Sequence, residues 1–248
     1  MAGAASGGAG TGSLVGAGTG STTGGSATLP TNAGGPTSTG GAGGGEGPSG
    51  GGGDLNAADA GAGNAPCTGE ATYSVAVNVT WADEAVSGRH YTTLIGAVHA
   101  AAMDVWHLGG MATSGVQQMA ESGGTQMLSA EVQAAIDQGK ALSLVKFSGG
   151  SPPATSMGQF TVNSDFSLIS LGSMMAPTPD LFIGLSSVNL CEGGTFIAAK
   201  TMEAVVYDAG TKDGDDFTYG DGPTSPHVPI GLGKQFSAPQ GSITLQKL

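Results

Sequence analysis

Residues 73–81, Tyr73-Ser-Val-Ala-Val-Asn-Val-Thr-Trp81, alternate large apolar and small side chains without a break. Tyr73, Val75, Val77 and Val79 share one side, and Ser74, Ala76 and Asn78 the other. That period of two is the mark of a half-buried β-strand. Further strands are expected at 142–147, 157–163, 166–175, 181–190, 196–207 and 241–248. Glycine and proline turns separate them, such as Gly149-Gly150-Ser151-Pro152-Pro153 and Pro177-Thr178-Pro179. In the last strand Ile243, Leu245 and Lys247 fall on one side. Residues 113–138 read instead as two helices, because Val116, Met119 and Ala120, then Met127, Leu128, Val132 and Ile136, recur at helical spacing. Gly123-Gly124 divides the two. The stretch 91–108 fits helix or strand equally. Many short strands without regular strand–helix alternation point to an antiparallel sandwich, all-β with minor helices.

Upstream of Cys67 the composition changes. Of the 47 glycines among 248 residues, 24 lie in the first 65, which contain no aromatic residue, Lys or Arg. Leu14, Val15, Leu29 and Leu55 are too scattered to bury the area that folding needs. Residues 1–65 therefore read as a disordered spacer, about 45 Å in root-mean-square span as a Gly-rich coil, and 66–248 as one domain. The glycines follow no three-residue period, which excludes collagen.

The formal charge is −12, with a pI near 4.3. All seven basic residues and sixteen of the nineteen acidic ones lie in 66–248. Such a chain lacks the basic surface that phosphate backbones require, so nucleic acid is excluded as a partner. No run of eighteen apolar residues marks a transmembrane segment. Met1–Gly10 shows neither a basic nor an apolar leader region, although the low lysine and arginine content suits an exported protein. The two cysteines, Cys67 and Cys191, cannot form a four-cysteine zinc site. They read either as two separate buried thiols or as one disulfide closing a long loop.

Acidic side chains crowd the segment after the Pro-Thr-Pro turn. Asp180 opens one strand and Asp208 closes a later one, with Asp213, Asp215, Asp216 and Asp221 following. Strand ends meet at the edges of a sandwich, so Asp180 and Asp208 can converge. The alternatives are a solvated acidic loop or a site for a hard divalent cation. Ca²⁺ accepts six to eight oxygens from carboxylates, carbonyls and water. The segment does not follow an EF-hand, lacking Gly at position six and Glu at position twelve counted from Asp208. His90, His99, His107 and His227 read as structural residues, and Met111, Met174 and Met175 as core filler. Nucleophile-elbow and phosphate-loop motifs are absent from the sequence, and Glu121 and Glu131 lie on predicted helices with nothing to aim them at a cleft.

Several stretches together resemble the spondin N-terminal domain family. They are 73–81, Thr93-Leu-Ile-Gly-Ala-Val-His99 with Trp106, and Ala112-Thr-Ser-Gly-Val116 with Met119-Ala-Glu-Ser-Gly123. Phe166-Ser-Leu-Ile-Ser170, Ala176-Pro-Thr-Pro-Asp-Leu-Phe-Ile-Gly-Leu-Ser186, Asn189-Leu-Cys191 and Tyr207-Asp-Ala-Gly-Thr211 follow in the family's order. The resemblance covers about 67–248. It implies an eight-stranded antiparallel β-sandwich, C2-like in outline, in a secreted or cell-surface adhesion protein without enzymatic activity. It further implies a disulfide between Cys67 and Cys191, and a Ca²⁺ ion at the loop end held by Asp180 and Asp208. A cell-surface or matrix protein or glycan is the implied partner; a purely structural envelope or matrix domain is the alternative. Two departures bear on the cation. Lys212 stands where the family commonly has a third aspartate, leaving Asp213 one position late as a substitute, and Thr161 replaces an acidic residue. Fewer carboxylates imply a weak site, roughly 10⁻⁴–10⁻³ M. Leu181 and Phe182 stand in place of a Trp-Phe pair, a change that preserves packing.

Overall fold

A computed structural model describes residues 65–81, 87–214, 217–219, 222–236 and 238–248. The expected spacer up to residue 64, and Asp215, Asp216 and Asp221, lie outside them. In chain order the elements are β1 (Glu70–Val79), β2 (His90–Tyr91), β3 (Leu94–His99), α1 (Ser114–Ser122), α2 (Gln126–Asp137), β4 (Ala141–Phe147) and β5 (Ala154–Asn163). They continue with β6 (Leu168–Ala176), β7 (Leu181–Asn189), β8 (Cys191–Glu192), β9 (Thr195–Phe196), β10 (Ala199–Glu203), β11 (Val206–Asp208), β12 (Gly231–Leu232) and β13 (Gly241–Lys247).

Two antiparallel sheets carry the fold, one ordered β10-β13-β1-β5 and the other β12-β11-β7-β6-β3-β4, with β2 beside β6. Tyr73, Val75, Val77 and Val79 of β1 and Ile243 and Leu245 of β13 meet Leu94, Val98, Ile169, Leu171, Leu181 and Ile183 in one core between the sheets. Lys247 is exposed, beyond that core. A second core lies between the larger sheet and the helices, where Ile95, Ala97, Trp106 and Phe182 pack against Val116, Met119, Leu128 and Val132. The domain is thus a sandwich with a helical third layer.

That third layer explains the ambiguity of residues 91–108. Every residue of β3 is buried, because Leu94 and Val98 face one core while Ile95 and Ala97 face the other. A strand covered on both sides loses its alternation. The segment before α1 also packs closely on the sheet, and glycine makes room for it. At Gly184 a Cβ would lie 2.1 Å from the Leu171 carbonyl oxygen and 2.9 Å from Trp106 Cζ2. Trp106 fills that gap, donating Nε1–H to the Leu171 carbonyl (3.1 Å) and meeting Phe182 edge-on. Leu181 and Phe182 are both fully buried.

Two expectations need correction. The strand expected over 196–207 is broken, because the chain changes sheets within it. Glu203 pairs with Ser242 in the smaller sheet, and Val206 pairs with Ile183 in the larger. Met111 is 54% exposed and fills no core, unlike Met174 and Met175. The expected helix over 113–138 is α1 and α2, with Gly123 closing α1 in the left-handed conformation (φ 68°).

Cys67 and Cys191 form a disulfide (Cα–Cα 5.8 Å), joining the chain just before β1 to the chain just after β7. Asn189 frames it, its Oδ1 accepting from Cys191 N–H and its Nδ2 donating to the Cys191 carbonyl. The bond closes a loop with a sequence separation of 124. Replacing both cysteines by serine is expected to cost about 2–5 kcal/mol of stability, measured by urea unfolding of the oxidised wild type and the variant.

His99 is fully buried, with Nδ1 at 2.9 Å from the Ala100 carbonyl and Nε2 at 2.9 Å from Ser170 Oγ. Burial holds its imidazole below the usual value, against the opposing pull of the Ala100 carbonyl and of Asp104. An unfolded histidine takes up its proton near pH 6.5 while the folded one stays neutral to lower pH. Stability contributed by neutral His99 is therefore present above about pH 6.5 and lost as pH falls below it. Urea unfolding between about pH 7.5 and pH 5 is expected to show a steeper loss of stability in wild type than in His99→Gln.

Candidate loop-edge cation site

Asp180 and Asp208 meet because β7 and β11 pair. Asp208 lies opposite Leu181 in register, and the Ala209 amide donates to the Asp180 carbonyl at 3.2 Å. The turn before β7 is tied by Thr178, whose Oγ1 donates to the Met175 carbonyl (2.5 Å) and accepts from Leu181 N–H (3.2 Å). This turn drives the Asp180 side chain inward, where it is fully buried.

The two oxygens of that carboxylate are used unequally. Oδ2 accepts three hydrogen bonds, from Thr211 N–H (2.7 Å), Thr211 Oγ1–H (3.1 Å) and Lys212 N–H (2.9 Å). Oδ1 is buried and has no hydrogen-bond partner among the described residues. Burial raises the Asp180 pKa, and the neighbouring charge of Asp208 raises it further, while the three donors pull the other way. A buried carboxylate with one oxygen unserved, beside a second carboxylate, is a costly arrangement in a low-dielectric setting.

The segment after β11 is shaped around this carboxylate. Asp208 Oδ1 accepts from Gly210 N–H at 2.7 Å, and Gly210 takes the left-handed conformation (φ 71°), so that Thr211 turns back towards Asp180. A Cβ at Gly210 would lie 2.2 Å from the Val228 carbonyl oxygen, which the return strand brings close. Further bonds hold the return: Val228 N–H to the Gly210 carbonyl, Thr224 N–H to the Thr211 carbonyl and Asp213 N–H to the Gly222 carbonyl.

Between these segments opens a depression of ≈ 310 Å³, whose walls include Asp208, Lys212, Asp213, Thr224 and Lys234. Asp213 thus stands on the same depression as Asp208, with its Oδ1 accepting from Thr224 Oγ1 at 2.7 Å. Lys212 Nζ lies 4.0 Å from Glu121 of α1. Among the described residues no three His, Cys, Asp or Glu side chains gather as a ready ligand set. The donors at hand are all oxygens, Asp180 Oδ1, Asp208 and nearby carbonyls, a set that suits a hard cation and not a soft one. Carboxylate oxygens are the kind of ligand Ca²⁺ takes, whereas the Lys212 and Lys234 amines on the walls of the same depression, which Asp180 does not line, oppose a cation there. Thr161, where the family has an acid, bonds Thr72 Oγ1 at 3.0 Å across β1 and β5.

The donors from Thr211 and Lys212 escape sequence reading, since two of the three are main-chain N–H groups that any residue could supply. Their only written trace is the Gly210-Thr211 pair that follows Asp208. The other acids weighed from the sequence are structural. Glu131 accepts from Thr113 Oγ1–H and Gly115 N–H (both 2.7 Å) at the start of α1, and Glu121 accepts from Gln117 one turn earlier.

The spondin N-terminal family model (Spondin_N) matches residues 71–239, and the chain belongs to that family. It is 28% identical to human spondin-2 over 182 residues, covering 65% of this chain and 54% of that protein. Rat spondin-2 is 27% identical over 168 residues, covering 63% of this chain and 51% of that protein. Rat spondin-1 is 30% identical over 149 residues, covering 57% of this chain and 18% of that protein. The chain thus spans about half the length of the spondin-2 relatives and under a fifth of spondin-1. The Cys67–Cys191 disulfide accords with an oxidising compartment. No helix among the described residues is long and apolar enough to cross a membrane.

Asp180→Ala is expected to strand three buried donors and to cost about 3 kcal/mol or more. Asp180→Asn keeps an acceptor oxygen in their midst and is expected to cost far less. Chemical denaturation of both variants in chelator checks the pair; equal losses would contradict the described cradle.

Proposed function

We propose that this chain is a non-enzymatic recognition module of the cell exterior whose loop edge is organised by Ca²⁺. Asp180 and Asp208 are the principal ligands and Asp213 a further one at the rim. The observation that carries this reading is the buried, unpartnered Oδ1 of Asp180 beside the Asp208 carboxylate. A bound divalent ion supplies positive charge that relieves the repulsion between the two carboxylates. Thr211 and Lys212 fix Asp180 by Oδ2 so that Oδ1 stays available, and Gly210 fixes Asp208 by Oδ1. Thr224 and Asp213 join the two sides of the depression at its rim.

In this reading the ordered rim meets a cell-surface or matrix protein or glycan, and residues 1–65 act as the spacer that presents it. The carboxylate pair contributes no activated nucleophile and no proton relay, which is why recognition is favoured over hydrolysis. A purely structural matrix or envelope domain is the second reading, supported by two hydrophobic cores and a disulfide that hold the domain without any ion. Saturable binding to whole cells or matrix polysaccharide supports the first and its absence the second.

With an affinity of roughly 10⁻⁴–10⁻³ M, about 10 mM Ca²⁺ is expected to stabilise the fold by about 1.4–2.7 kcal/mol over chelator. That corresponds to a rise in Tm of about 3–10 °C. Scanning calorimetry is expected to show this rise in wild type and to lose most of it in Asp208→Asn. An equal rise in both, or none in wild type, would remove the cation from the account.

A further inference from the structure

Asn78-Val79-Thr80 is the one Asn-x-Ser/Thr triplet with a non-proline centre among the 248 residues. We propose that Asn78 is an acceptor site for an N-linked glycan. In the transfer, Asn78 Nδ2 attacks the anomeric carbon of a lipid-diphosphate-linked oligosaccharide. The new N–C bond forms as the C–O bond to the diphosphate breaks. The lipid diphosphate leaves with that electron pair, and the amide proton passes to a base of the transferase. The hydroxyl of Thr80 supplies the third element that the acceptor triplet requires.

The structure puts the triplet where a glycan can stand. Asn78 is the penultimate residue of β1 and is exposed, whereas Val77 and Val79 on either side of it point into the core. Thr80 is exposed as well, its N–H donating to the Gln240 carbonyl at 2.9 Å. In register Asn78 faces Ser242 of β13 and Thr155 of β5, both short. Thr155 Oγ1 donates to Asn78 Oδ1, engaging the oxygen and not the nitrogen to which sugar attaches. The outer face beside Asn78 consists of Ala76, Thr155, Met157, Ser242 and Thr244, and the one charge close by is exposed Glu203, one strand further on and opposite Ser242. The disulfide accords with passage through an oxidising, exporting route, as does the extracellular reading proposed above, on which this inference rests.

The position also meets a need of the fold. β5 ends the smaller sheet and carries no Asp, Glu, Lys or Arg in its ten residues. At the opposite edge, β10 carries Lys200 and Glu203. Edge strands are normally blunted against pairing with other chains by charge, bulges or cover. A hydrated glycan on Asn78, one strand in from that uncharged edge, supplies the cover that β5 lacks.

The test directs the full chain through the secretory pathway of a cultured animal cell and analyses the secreted, disulfide-bonded product by peptide mass spectrometry. Glycan on the Asn78 peptide, removed by peptide-N-glycosidase with conversion of the asparagine to the acid, is the expected result. Thr80→Ala, which leaves Asn78 in place, is expected to abolish it, as is Asn78→Gln, whereas Thr80→Ser retains it. The amidase also separates this site from sugar on serine or threonine. Secreted wild type with unmodified Asn78, or an amidase-sensitive glycan that survives in Thr80→Ala, overturns the proposal.

Discussion

The carboxylate of Asp180 is the constraint around which one whole end of the domain is arranged. A buried charge is tolerated only when donors or ions offset its lost hydration. Here, among the described residues, one oxygen receives three donors and the other receives none. The left-handed Gly210, the inward turn of Thr211 and the Thr178 turn before β7 all serve to bring those donors and that carboxylate together. The adjacent Asp208 makes the arrangement less favourable, because its like charge raises the proton affinity of Asp180.

The two ends of β7 are secured by different chemistry. At its finish, Cys67–Cys191 ties the first strand of the smaller sheet to the larger sheet, with Asn189 bracing the turn. At its start, the fastening is electrostatic, through Asp180 and its donors. Over its first five residues the strand is buried on both sides, Ile183 in the inter-sheet core and Phe182 against the helical layer. One rigid strand is thus fastened covalently at one end and through a buried carboxylate at the other.

Much of this was legible in the sequence, and the reasons are local. β1 alternates because only one of its faces is covered, so its period survives in the residues themselves. The two helices were marked by spacing and by Gly123-Gly124. β3 was ambiguous because helices cover the face that would otherwise be polar. The crossing between sheets after Glu203 left no sign, since Ala204 and Val205 look like any strand residues. The candidate site divides in the same way. Asp180 and Asp208 stood out by their motifs and by their places at strand ends. The cradle from Thr211 and Lys212 did not, because main-chain donors carry no signature of their own.

The central claim is that Asp180 Oδ1 is left unpaired for a divalent ion that Asp208 shares. A crystal structure at high resolution, grown with calcium, addresses it most directly. The account requires an ion about 2.3–2.6 Å from Asp180 Oδ1 and from an Asp208 oxygen. Density for a water or a protein donor filling that place, with the two carboxylates turned apart, would contradict it.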